Sequence, residues 1–158
     1  MPTQSHISPV AMAAWQTFLR AQCGLASTLD SELQQHGLTI NDYGVLVNLR
    51  DAERQSVRMS DLAGLVLLTR SGMTRLVDGL VKDGLVERRT CPTDARVAYA
   101  AITDAGLMKL AEARVTHHAG IQRQFADHFT EAELIQLREL LGRIDAGPCA
   151  PCGANPTC

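Results

Sequence analysis

The stretch from Ser60 to Arg89, SDLAGLVLLTRSGMTRLVDGLVKDGLVERR, decides the fold. It reads as a short helix, a turn, a second amphipathic helix and an apolar-basic strand. Projected at about 100° per residue, the second helix gathers Met73, Leu76, Val77, Leu80 and Val81 on one side. Ser71, Thr74, Arg75, Asp78 and Lys82 fall on the other. The apolar stripe packs. A merely solvated face is usually dense in Glu–Lys pairs, whereas this one opens with small hydroxyls and an arginine. Those groups suit a helix that enters a DNA major groove: hydroxyls bond base edges or phosphates, and arginine offers a planar fork to guanine or a charge to phosphate.

Working outward, Gly84 is a helix C-cap, and Leu85–Cys91 and Val97–Thr103 read as two strands. Pro92, Thr93, Asp94 and Ala95 between them supply turn chemistry. A helix-turn-helix followed directly by a basic hairpin is the layout of a winged helix. Arg88 and Arg89 are candidate phosphate contacts, of which strand alternation lets one face DNA. Asp94 and Arg96 form the wing tip, where the aspartate can hold the arginine extended toward the minor groove. Asp78, three residues after Arg75 and four before Lys82, is expected to orient those two cations.

On the amino-terminal side of the helix pair, Ser60 is the expected cap of the short helix and Thr69 of the recognition helix. Their first-turn amides are then available to phosphate. Arg70, Ser71, Thr74 and Arg75 occupy the first turn and a half, where a groove-bound helix touches DNA.

These blocks resemble the MarR-type transcriptional regulators. The resemblance runs from about Gly37 to Ile144 through GLTINDYGVLVNL, RMSDLAGLVLLTRSGMTRLVDGLVKDGLVERR, PTDARVAYAAITDAG and FTEAELIQLRELLGRI. Its most specific parts are TRLVDGL…GLVERR and the Asp94-x-Arg96 tip leading to Ile102-Thr103-x-x-Gly106. The resemblance implies a homodimeric, ligand- or stress-responsive winged-helix regulator. It also implies a small aromatic or anionic effector bound where the dimerisation helices meet the winged helix; Trp15, Tyr43 and His117 or His118 are the candidates there. An aromatic wall with a titratable imidazole suits a flat, weakly acidic molecule. The organic-hydroperoxide branch of the family keeps its reactive cysteine near the start of the first helix. Trp15 and Phe18 stand in that region here, so that chemistry does not carry over.

The chain's bulk properties agree. Its 158 residues, 46% of them hydrophobic, suffice for one core and one domain. The expected organisation is 9–36 and 104–146 as dimerisation helices around a winged helix at 38–103, with 147–158 a flexible tail. The net charge of −2 excludes an indiscriminate polyanion binder, yet residues 58–96 hold seven basic against five acidic groups. A local basic patch on a mildly acidic body suits one DNA site with low non-specific affinity. No membrane span or secretory signal is legible, so the cytoplasm, or the nucleoid within it, is the expected location.

Ser8-Pro9 starts a first helix that runs to about His36, with Gly37 ending it. Its apolar stripe of Trp15, Phe18, Leu25, Leu29 and Leu33 is wider than one neighbour needs, and Cys23 reads as a small core residue beside it. Thr39 caps a second helix, and Arg50–Gln55 reads as a charged connection. Thr103-Asp104 starts a long helix to about His128 with Leu107, Leu110, Ala111, His118, Phe125 and Phe129 as candidate buried positions. Thr130-Glu-Ala-Glu is a capping box, after which Leu134, Leu137, Leu141 and Ile144 step like a helix–helix seam. The alternative for these end helices is that they close the monomer's own core.

Of five cysteines, Cys149, Cys152 and Cys158 lie in the tail. Three thiols with no adjacent histidine fall short of a zinc site, so neither metal nor cofactor is expected. A thiol-based redox switch on the same scaffold is one alternative function; a winged helix that binds protein without DNA is another. Enzymatic signatures are missing: the sequence has no phosphate loop, nucleophile elbow or H-E-x-x-H.

Overall fold

Helix α1 (Pro9–Leu33) begins where Ser8, in extended conformation, accepts the Ala11 amide on its hydroxyl, with proline in the first turn. The computed structural model describes residues 7–65, 70–90 and 97–144. A 3-10 turn (Gln34–His36) tightens the end of α1, and Gly37 stops it at φ 70°. Helix α2 (Ile40–Asp51) follows at once. Thr39 and Asp42 form its capping box, and Asp30 of α1 accepts the Ile40 amide at 2.7 Å, so one helix helps to cap the next.

Helix α3 (Met59–Leu65) and helix α4 (Arg70–Lys82) form the helix-turn-helix. Strands β2 (Val86–Thr90) and β3 (Ala98–Ile102) are the arms of the wing, paired from Val86 opposite Ile102 to Thr90 opposite Ala98. A third strand, β1 (Ser56–Arg58), pairs antiparallel with the other side of β3, giving the order β1-β3-β2. Arg50–Gln55, expected as a charged connection, instead finishes α2 and makes a 3-10 turn (Glu53–Gln55) before this strand. Ser60 was expected to cap α3, but the helix starts at Met59. The Ser60 hydroxyl then lies inside the first turn and donates to Asp61 at 2.8 Å.

The turn into β1 is strained. Arg54 and Gln55 both take positive φ, 60° and 52°, a region that costs a side-chain-bearing residue about 1–2 kcal/mol. Gln55→Gly is expected to gain about 0.5–1 kcal/mol after allowing for the extra unfolded-state entropy of glycine. A thermal midpoint that stays put or falls would show a relaxed turn.

Helix α5 (Asp104–Gln124) starts at a tight knot. Thr103 accepts the Gly106 amide on its hydroxyl, which in turn donates to the Gly84 carbonyl, and its own amide donates to Leu85. The end of α4, both wing arms and the root of α5 are thereby tied together. The core lies between α2, α4, the sheet and α5: Leu46, Leu49, Leu62, Met73, Val77 and Leu110 are all essentially inaccessible. Helix α6 (Glu131–Leu141) opens with the Thr130–Glu133 capping box. The Thr130 backbone and hydroxyl donors hold the Glu133 carboxyl below its ordinary range.

Several expected burials change. Only Leu33 of α1 is buried, and Cys23, expected in the core, is exposed. On α5, Ala111 and His118 face outward and His117 turns inward; adjacent helical residues point about 100° apart, and the crossing with α1 and α2 selects which one is covered. Phe129 is exposed too. No helix among the described residues is long and apolar enough to cross a membrane.

Candidate nucleic-acid interface

The two faces of α4 separate cleanly. Met73, Val77 and Leu80 are buried, while Ser71, Thr74, Arg75, Asp78 and Lys82 are exposed on the far side. The helix is short and anchored along its whole apolar stripe, so the polar stripe is presented rigidly to solvent. Of the other expected contacts, Thr69, Asp94 and Arg96 lie outside the described residues, as do Cys91, Cys149, Cys152 and Cys158. Arg70 is placed as the first residue of α4.

The wing joins this surface through Arg88. Its guanidinium donates to the Asp78 carboxylate at 2.7 Å, linking β2 to the recognition helix. Asp78 was expected to serve Arg75 and Lys82 on its own helix; the strand brings it a better-placed partner instead. Both groups are substantially exposed, so the pair orients more than it stabilises. Arg89 points the other way, as alternation along a strand requires, and pairs with Glu87 two residues back at 2.6 Å. Arg88 therefore flanks the exposed face of α4 and Arg89 does not.

Arg58, counted with the basic patch of residues 58–96, has a partner not foreseen from the sequence. Arg58 of β1 lies opposite Tyr99 of β3, donates to its hydroxyl at 3.0 Å and stacks over its ring. Without β1 in view, nothing in the sequence points to that pairing.

The candidate effector residues do not converge on one spot. Tyr43 is buried and its ring lies 4.4 Å from that of His117. Burial raises the Tyr43 phenol above its ordinary value, with Arg50 and Arg114 opposing. The His117 imidazole is held below its ordinary value by burial first and by neighbouring His118 second, with Glu32 opposing. His118 lines a different place, an open recess of about 410 Å³ between α2 and α5 that it shares with Arg50, Arg114, Leu107, Leu110, Ala111 and Val115. Trp15 is 53% exposed and stacks on Phe18. It stands 14 residues, about 21 Å of helix, from Leu29, the point at which α1 meets α5 near Gly120.

A model of the MarR family matches residues 36–97. AbsC, a MarR family transcriptional regulator from Streptomyces coelicolor, is 31% identical with a TM-score of 0.80, over 89% of this chain and 95% of that one. Sco3205, a MarR family regulator of the same organism solved in complex with DNA, is 28% identical with a TM-score of 0.82, over 90% of each chain. The transcriptional repressor MprA of Escherichia coli is 27% identical over 130 residues, 80% of this chain and 74% of that one. The helix-turn-helix, its basic wing and these likenesses agree: the chain belongs to the MarR family, and it is a transcriptional regulator, not an enzyme.

Proposed function

We propose that the protein is a homodimeric repressor that binds a palindromic operator in the nucleoid and is released by a small acidic effector. The observation that carries the DNA reading is the outward face of α4. Hydroxyls and cations line it, buried residues back it, and Arg88 flanks it. Ser60, Thr69, Arg70, Ser71, Thr74, Arg75 and Lys82, with Arg96 and Asp94 at the wing tip, are the proposed contacts; Arg89 is at most a peripheral phosphate contact. The similarity to a relative solved with DNA and to a named repressor supports the same reading. Selection of genomic fragments by the purified protein, followed by titration against random duplex, tests it. Equal affinity for both would leave a winged helix without an operator.

The dimer rests on surface that the single chain leaves uncovered. No residue of α6 is buried. Val10, Trp15 and Phe18 of α1 are exposed, as are Ile135, Leu140, Leu141 and Ile144 at the other end. Apolar surface of that extent at both ends of a small domain calls for a partner, and a second copy has the matching surface by symmetry. In a dimer the two recognition helices fall into successive major grooves about 34–36 Å apart. Leu141→Glu places two charges in the proposed seam and removes two leucines per dimer, a loss on the order of 3 kcal/mol or more. Sedimentation should show monomer, and operator binding should fall with it. A variant that stays dimeric would move the seam elsewhere.

The effector reading now has a recess to work with. Arg50, Arg114 and His118 line it together with an apolar wall of Leu107, Leu110, Ala111 and Val115, which suits an acid with an apolar body.

A further inference from the structure

The joint between α1 and α5 contains two buried polar atoms without partners, one acidic and one basic. Glu32 of α1 accepts a hydrogen bond from the Arg123 guanidinium of α5 on Oε1 at 2.8 Å, while its Oε2 is buried and makes no hydrogen bond. His117 of α5 has a buried Nδ1, also with no partner. The same helix face brings them together. Gly120 lies one turn beyond His117, and a Cβ there would fall on Glu32 Oε2 and 2.7 Å from Leu29 Cδ2. The bare glycine lets the carboxylate settle against α5 one turn from His117, within electrostatic reach of the imidazole.

Other groups around the ring come from every neighbouring element. Tyr43 of α2 packs tilted against it at 46°, and Arg50 and Asp51 lie beside that phenol. His36 bonds Thr116 at 2.8 Å. His118, Arg114 and Arg123 extend from α5 itself, and Asp30 of α1 is engaged with the Ile40 amide. Glu32 is the acid that acts on His117, and its second oxygen makes no hydrogen bond.

We propose that His117 and Glu32 form a proton-operated latch between α1 and α5: protonated His117 pairs with Glu32 Oε2, and the angle between the helices resets. The packing described above belongs to the neutral ring. Burial depresses the imidazole, so stability contributed by this packing is present above the ordinary histidine value of about 6.5. It is lost as pH falls through that value toward the lower folded one. The protonated ring then recovers a partner only by turning to Glu32. Because α5 is rooted in the wing through Thr103 and α1 carries part of the proposed dimer surface, the reset shifts the spacing of the two recognition helices and weakens operator binding. That last step rests on the dimeric reading above; the latch itself does not.

The test uses the full chain, wild type and the variants Glu32→Gln and His117→Gln. In NMR titrations of the histidine rings, one resonance should titrate below the ordinary value, vanish in His117→Gln and move lower still in Glu32→Gln. A midpoint unmoved by Glu32→Gln overturns the latch, and this arm decides the matter even if His117→Gln fails to fold. With a genomic fragment selected by the protein, wild-type affinity should fall roughly tenfold between about pH 7.5 and about pH 5.5, and His117→Gln should flatten that response. An equal fall in all three proteins would assign it to other groups and overturn the link to DNA. No fragment bound at either pH would sink the DNA reading, leaving the NMR arm to judge the latch.

Discussion

Arg75→Ala is expected to weaken operator binding by about 1–3 kcal/mol, a rise in Kd of roughly five- to 150-fold, with the fold intact. Arg75 is exposed on α4, on the side away from Met73 and Val77, so its removal empties no core space. Asp78, its nearest acidic neighbour on the helix, is engaged by Arg88, so the guanidinium is not tied up by that carboxylate. The salt dependence distinguishes the two contacts it can make. If Arg75 meets phosphate, the variant loses affinity evenly across sequences and the salt slope drops by about one. If it forks onto guanine, discrimination at one base pair relaxes instead. Titrations of operator and mutated operators at several salt concentrations read both. Unchanged affinity at matched salt would remove α4 from the groove.

Gly106→Ala is expected to destabilise the protein by about 2 kcal/mol. An added Cβ would fall on the Leu85 carbonyl oxygen and 2.8 Å from Ile102 Cγ1. The first obstacle is backbone, which cannot rotate aside as a side chain can. That oxygen also accepts the Thr103 amide at 3.1 Å, and the Gly106 amide is held by the Thr103 hydroxyl at 3.0 Å. Overpacking at such a place costs about 1–3 kcal/mol, and the better helix propensity of alanine recovers only part of it in a first turn. For a chain of this size the thermal midpoint should fall by about 4–8 °C, measured at equal protein concentration. Since the knot joins the wing to α5, operator affinity should fall as well. A midpoint equal to wild type would mean that the hairpin and helix can separate without loss.

The sequence carried the local features well. The two stripes of α4, the Thr39, Thr103 and Thr130 caps and the Gly37 and Gly84 stops depend on residues within a turn or two of one another. Local hydrogen bonds and helical periodicity reproduce them without any distant partner. The order of helices, turn and basic hairpin pointed in the same way to the family.

What the sequence left open was decided by segments far apart in the chain. Ser56-Val57-Arg58 has no strand pattern of its own and becomes one only by pairing with Tyr99–Ala101. Asp78 takes Arg88 across the fold in place of the cations on its own helix. His117, not its neighbour, is covered because α1 and α2 cross α5 on that side. Periodicity told which residues of this chain share a face; which face is buried, and which charge meets which, followed from long-range packing that no local spacing encodes.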